Sequence, residues 1–402
     1  MRAILILAPI TLPVLMARPE PPKLPKPFET PSVVNRAKVI GWPEGRTPKA
    51  PPGFTVTPFA ADVETPRWFH QLPNGDVLVS EARTVAKKKD DETKAEGSPN
   101  RVSLYRDGKK HVLLKGLNQP FGMALRGDRL FVGVTDGVLS FPYETGATAI
   151  TAGPIRVTSL PAGGYNNHWT RNVLFDARGE KLYVTVGSGS NVGENGIANE
   201  MLRANVLQMN PDGTALRVFA SGLRNPVGLA WQPQSGRLWT AVNERDELGD
   251  ELVPDYLAAI EDGQFYGWPW YYFGKNEDPR RKGERPDLAG KVVVPDLALG
   301  SHTASLGLAF CPAKGFGEKY QGGAFIGQHG SWNRSSFVGY RVAFVPFKNG
   351  KPAGEPEDFL TGFVANDKEV YGRPVGVAFL ADGSLLVADD AGNRVWRVTR
   401  DR

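Results

Sequence analysis

His168, in the stretch GYNNHWTRN, is one of five histidines in a chain of 402 residues. An imidazole of ordinary pKa takes a proton from a hydroxyl at neutral pH, so His168 is a candidate general base. Arg224 and Arg373 stand in two short motifs, RNPVGLAW and RPVGVAFL, each just ahead of an apolar run. Guanidinium groups offer planar forks to carboxylates and stabilise developing oxyanions. His302, in GSHTASLGLAF, occupies a comparable place. A base and fixed cations gathered at one point suit an anionic, carboxylate-bearing ligand. The competing reading is that each side chain only satisfies turn carbonyls. A second cluster, NERDELGDELVPDYL (residues 243–257), carries Glu244, Asp246, Glu247, Asp250, Glu251 and Asp255. Oxygen-rich irregular loops suit calcium, although the spacing is not that of an EF-hand. A solvated acidic loop is the alternative.

The elements that must position these residues belong to an internal repeat. A stem of the form Pro-x-Gly-x-Ala followed by a turn and an apolar strand recurs in QPFGMALRGDRLFVGV, NPVGLAWQPQSGRLWTAV and RPVGVAFLADGSLLVADD. TPRWFHQLPNGDVLVSEA and TRNVLFDARGEKLYVTVG are degenerate copies, and SLGLAFCPAKGFGEKYQGGAFIG carries an insertion in its turn. Each copy supplies two strands around a glycine-bearing turn, and the intervening stretches supply about two more. Six such units predict an all-β fold, a six-bladed β-propeller of four-stranded antiparallel blades. The strand GFTVTPFA is expected to close the ring against NRVWRVTR. In a propeller the innermost strands line the central axis. The residues just before each stem therefore meet at one mouth: Asn118 and Gln119, His168 and Trp169, Arg224 and Asn225, His302 and Thr303, Gly372 and Arg373.

Composition narrows the partners. The formal charge of +5 is mild for this length, and no basic stripe interleaved with aromatics is present, which argues against nucleic acid. The single cysteine, Cys311, excludes internal disulfides and cysteine-based metal centres, and no haem-attachment motif is present. Residues 1–17 read as a secretory signal peptide, too short and too proline-punctuated for stable membrane insertion. The expected location is therefore periplasmic or secreted. Residues 18–50 read as a proline-rich linker and 51–402 as the propeller. The charged run KKKDDETKAEGSPN reads as a solvated loop.

GLRNPVGLAW, the acidic loop, YGWPWYYFG and GRPVGVAFLADGSLLVADDAGNRVWRV together resemble the soluble glucose/sorbosone dehydrogenases that use pyrroloquinoline quinone (PQQ). LGSHTASLGLAF and IGQHGSWNRS are similar to the sorbosone-dehydrogenase-like branch. The resemblance spans roughly residues 50 to 400. It implies oxidation of a sugar or related alcohol or aldehyde, with PQQ and calcium as cofactors. It matches His168 to the catalytic base, Arg224 and Asn225 to the pair beside the reactive quinone carbonyl, and Arg373 to a cofactor-carboxylate arginine. The backbone carbonyls of Arg245 and Asp246 match the cofactor-site calcium ligands. Asp250, Glu251, Tyr266 and Asn276 fall near a second, structural calcium. Asn167, His302 and Trp332 fall on the substrate side, Asn167 being either a turn residue or a hydroxyl partner. Two positions depart from the pattern: Val375 stands where a second arginine is usual, and the strand end bearing the usual lysine reads QHGSWNRS, with Arg334 as the candidate substitute.

Two other functions compete with a dehydrogenase. A calcium-dependent lactonase-like hydrolase needs carboxylate ligands at the blade mouths, where this chain carries His and Arg. A non-catalytic binding propeller needs no acid–base group. A dehydrogenase without a haem motif passes its electrons to a separate acceptor.

Overall fold

Short apolar strands alternating with glycine turns fold the described residues into six blades of four or five mostly antiparallel strands, with three two-stranded sheets besides. The computed structural model describes residues 22–84, 97–163, 168–313 and 315–401. The expected signal peptide, Asn167 and most of the charged run after Thr84 lie outside the described residues.

The inner strands of blades 1 to 6 are Pro66–Gln71, Met123–Arg126, Val173–Phe175, Pro226–Trp231, Ala309–Phe310 and Pro374–Phe379. They neighbour one another in cyclic order, blade 6 against blade 1 included, so the ring is closed. Blade 3 gains a fifth strand, Gln264–Phe265, which pairs in parallel with Arg217–Ser221. Blade 6 is completed from the other end of the chain: Phe54–Ala60 pairs antiparallel with Arg394–Arg400, as the sequence predicts. This pairing covers a strand edge that would otherwise be open to solvent.

The repeated stem has a steric explanation. A side chain on Gly122 would meet Val173 N at 2.5 Å, one on Gly307 would meet Val375 O at 2.2 Å, and one on Gly376 would meet Arg67 O at 2.3 Å. Backbones of adjacent inner strands approach too closely for a Cβ, so glycine is required there. The ladder also shifts register across the stem, between Pro66 and Trp68, Pro226 and Gly228, and Pro374 and Val377. Such bulges turn the residues just before the strand away from the sheet, where they are available to a site. Beneath that mouth the axis is filled: Trp68, Phe121, Trp169, Val227, Leu306 and Val375 belong to one buried apolar cluster.

Residues 22–50, read from the sequence as a linker, make specific contacts. Lys38–Val39 pairs in parallel with Glu369–Val370. Trp42 is buried against Phe363, Tyr371 and Trp396 and donates to Asp389 Oδ2 at 2.6 Å. Further upstream, Thr30 Oγ1 accepts from Asp250 N at 2.7 Å, and Asn35 N donates to Trp332 O at 2.8 Å.

Candidate active site

His168 sits in the turn that leads into blade 3, almost fully buried. The backbone of that turn is held by Arg171, whose guanidinium donates to His168 O at 2.9 Å, Thr170 O at 2.8 Å and Pro161 O at 2.8 Å. The next residue, Trp169, donates from Nε1 to Thr84 Oγ1 at 2.7 Å, which fixes the turn to blade 1. The imidazole Nδ1 lies 2.9 Å from Ser188 Oγ and 3.1 Å from Ser188 O. Burial above all, and then the positive charge of Arg224, hold the His168 pKa well below its usual value. The ring is therefore neutral at pH 7, the form that accepts a proton.

Gly187 brings the next blade against this ring. The place its side chain would take lies 2.6 Å from His168 Cβ and 2.4 Å from Asn225 Oδ1. Asn225 Oδ1 is buried and has no hydrogen-bond partner. A buried acceptor left unsatisfied is costly, and at a site it marks where a ligand donor belongs.

Arg224 is buried beside it, and its donors are all engaged. Nε donates to Asn191 O at 3.2 Å; one terminal nitrogen donates to Asn243 O and Glu244 O; the other donates to Asn191 Oδ1 at 2.9 Å and Asp246 Oδ2 at 3.2 Å. Asp246 uses its other oxygen for His302, with Nδ1 at 3.3 Å, while His302 Nε2 lies 2.8 Å from Gly249 O. Burial opposes the protonated form of His302, but Asp246 and the Gly249 carbonyl outweigh it and hold the pKa above its usual value. Burial likewise opposes the Asp246 charge, yet His302 and Arg224 hold it below the carboxylate range. The result is a hydrogen-bonded array, Arg224–Asp246–His302, next to a neutral His168.

Arg373 belongs to a second group. Its guanidinium donates to His329 O and Gly330 O, each at 2.8 Å, and its backbone N donates to Asp389 Oδ1 at 2.7 Å. Nearby, Asp390 binds Arg67 with one oxygen and His329 Nε2 with the other, the latter at 2.9 Å. Arg67 also lies over the Trp169 ring, 5.1 Å from its centroid, which sets this group next to the His168 turn. Burial, then the charge of Arg373, push the His329 pKa down to about 4.

With this geometry in view, sequence comparison is decisive. A profile of the TrAA12-like family matches residues 48–255 and 278–401. The chain belongs to the TrAA12-like family. Among its relatives, an uncharacterized protein of Borreliella burgdorferi is 29% identical over 369 residues, covering 88% of this chain and 90% of the relative. A pyrroloquinoline quinone-dependent pyranose dehydrogenase of Coprinopsis cinerea is 26% identical over 344 residues, covering 68% of this chain. The match takes in 45% of that fungal protein, so the chain spans under half its length. The fold agrees with the solved PQQ domain of the Coprinopsis cinerea pyranose dehydrogenase in its holo form, with TM-score 0.71, 22% identity, and coverage of 90% of this chain and 99% of that one. The resemblance to PQQ-dependent sugar dehydrogenases read from the sequence is borne out by these matches.

Within this TrAA12-like framework the expected ring of two histidines and two arginines resolves into two groups. His168, Arg224, Asn225 and His302 come together through Gly187 and Asp246, while Arg373 joins Arg67, His329 and Asp390. The acidic loop differs from its expected character as an oxygen cage. Glu247 pairs with Arg280, Glu251 with Arg334, and Asp250 accepts from Ser335. Asp255 is spent on Glu244 N, Thr303 Oγ1 and Ser305 N. Among the described residues no group of three His, Cys, Asp or Glu side chains is placed to hold a metal ion. The four residues expected at a structural calcium are tied to separate partners: Tyr266 donates to Ala259 O and Gln264 Oε1, and the Asn276 amide closes its own hairpin on Tyr272 O and Phe273 O. Arg334 is bound to the acidic loop, through Glu251 and Asp250 O. Trp332 lies under Arg36, 5.0 Å from ring centroid to guanidinium carbon.

Sequence reasoning missed Asn191, Arg171, Arg67, His329 and Asp390. Asn191 is the hub, accepting from Arg224 and from Asp246 N and donating to Asp246 O. Its signal was the glycine–serine run GSGSN directly after the second strand of blade 3.

Proposed function

We propose that the chain is a quinoprotein oxidoreductase that oxidises a carbinol or aldehyde group of a sugar, with His168 as the base. The reading is carried by one observation: a buried, neutral imidazole packed through Gly187 against the unsatisfied Asn225 Oδ1, in a chain of the TrAA12-like family. The residues present fit PQQ. Asn225 would meet its quinone edge through Nδ2, with Arg224, whose donors are taken, lending its charge from behind, and Arg373 would face a carboxylate. When bound, the quinone supplies a two-electron acceptor for hydride. His168 takes the hydroxyl proton while the carbinol carbon gives up its hydrogen with the electron pair. The Arg224–Asp246–His302 array holds fixed dipoles and charge beside the reacting oxygen, so little reorganisation accompanies the step.

Calcium fits less fully. The carbonyl of Arg245 accepts from Val253 N at 3.5 Å, and that of Asp246 from Asn191 Nδ2 at 3.2 Å. Both bonds are long, and each carbonyl keeps a second lone pair for a hard cation. These two oxygens are the proposed protein ligands, and no second calcium site is proposed. As an exported enzyme the protein would pass its electrons to a separate acceptor.

The test is reconstitution of the purified protein with PQQ and calcium, followed by dye reduction over a panel of aldoses, pyranoses and sorbosone. Saturable PQQ binding with turnover of at least one sugar is expected. Absence of both overturns the reading, and lactone hydrolysis without PQQ replaces it with the hydrolase.

A further inference from the structure

The two atoms facing His168 Nδ1 are of different kinds, and together they decide where its proton sits. Ser188 O is a carbonyl and only accepts. Ser188 Oγ has one proton, and it donates that proton to Ser190 O at 2.6 Å. Toward His168 the hydroxyl is therefore an acceptor too. Ser190 is itself held in place, accepting from Gly193 N at 2.8 Å and donating from Oγ to Glu200, whose other oxygen accepts from Gly189 N at 2.7 Å. The loop around Ser188 is pinned at several points. Turning the Ser188 hydroxyl toward the ring would break its bond to Ser190 O.

We infer that Ser188, through its carbonyl and its hydroxyl, is a positioning residue that fixes His168 in the Nδ1–H tautomer and so dedicates Nε2 to accepting the substrate proton. The role of Nε2 rests on the proposed function; the tautomer does not. Both Ser188 atoms are neutral, so the imidazolium formed on proton uptake gains no carboxylate at Nδ1. The charged groups around the ring are Arg224, Arg203 and Asp246, two positive and one negative, and burial dominates them all. Neutral partners at Nδ1 and a buried ring disfavour the imidazolium, so the base is a weak one by construction.

Long-range ¹H–¹⁵N correlation spectra of the ¹⁵N-labelled, cofactor-free protein at pH 7 test the tautomer directly, with His168 assigned by its loss in His168→Gln. A protonated-type Nδ1 and a lone-pair-type Nε2 are expected. A proton on Nε2, on both nitrogens, or averaged between them overturns the inference. Ser188→Ala keeps the carbonyl and loses the hydroxyl. Its Nδ1 and Nε2 signals are expected to move toward the averaged position, with kcat falling about tenfold, as for loss of one hydrogen bond. Ser188→Thr restores both. Unchanged spectra and kcat in Ser188→Ala overturn the part given to the hydroxyl. Ser188→Asp places a carboxylate at Nδ1 and is expected to raise the acid limb of kcat/KM by about one pH unit or more. An unmoved limb contradicts the weak-base reading. An Nδ1–H tautomer in a protein that oxidises no sugar leaves the tautomer standing and removes the dehydrogenase.

Discussion

At the scale of single residues, charge and burial are divided unevenly among the five histidines. His302 has an acceptor at each nitrogen, which raises its pKa, whereas burial and then the charge of Arg224 lower that of His168. Removing the base tests the division most simply. His168→Ala is expected to lower kcat by about 10²–10⁴-fold, the usual worth of a general base, while PQQ still titrates in. Stopped-flow dye reduction beside a cofactor-binding titration reads both. A second consequence concerns pH. Burial pushes His70 down to about 4, and burial with the charge of Arg373 does the same to His329. Below pH 6.5 the unfolded chain binds protons at these sites that the folded chain does not, so stability falls as pH drops from 6.5 toward 4. His70→Gln removes one such site. Thermal melts of the variant should therefore decline less steeply than wild type across that window, and parallel declines would contradict the assignment.

At the scale of elements, the approach of neighbouring blades is governed by backbone contact more than by side-chain packing. A Cβ on Gly327 would lie 2.0 Å from Val375 O, a backbone atom that cannot swing aside. Gly327→Ala is expected to destabilise by about 1–3 kcal/mol or more, the range for overpacking, as measured by urea unfolding. This is also why the blade count was readable before any coordinates. A stem fixed by a local bulge and a local glycine repeats in the sequence each time the geometry repeats. The site was readable only in part. His168, Arg224 and His302 stand at the stem and inherit its register. Arg67 lies inside an inner strand, and His329 and Asp390 follow second strands, where no repeated pattern marks them. Their pairing crosses blades 1, 5 and 6, so it is a property of ring closure and not of any one segment. The acidic loop was opaque for a related reason: its carboxylates look alike in sequence, but each finds a different donor once neighbouring blades and the Thr30 region are in place. Trp42 shows how firmly that upstream segment is held. Trp42→Ala removes a buried indole and its bond to Asp389, and an expected loss of about 3–5 kcal/mol is measurable by the same unfolding experiment.

At the scale of the whole molecule, the ring has one seam, the pairing of Phe54–Ala60 with Arg394–Arg400. Deleting residues through Ala60 leaves the Arg394–Arg400 edge without its partner. Such a chain is expected to self-associate with rising concentration in light scattering, where the intact chain is not. A monomeric, fully active deletion variant would contradict this.

That seam also orders events in time. Phe54–Ala60 precedes the five other blades in the chain, and its partner strand follows all of them. Every intermediate blade can form from neighbours in sequence, but the sixth must wait for two segments more than three hundred residues apart. The entropic penalty for so long a closure grows only slowly, by about 0.6 kcal/mol per doubling of the loop, so the delay is kinetic far more than energetic. During that interval the early strand is an unpaired, β-prone segment at risk of the wrong partner. Pulsed hydrogen exchange should find amide protection at Thr55, Val56 and Thr57 and at Val395 to Thr399 arriving together and last, whatever the order in which the middle blades assemble.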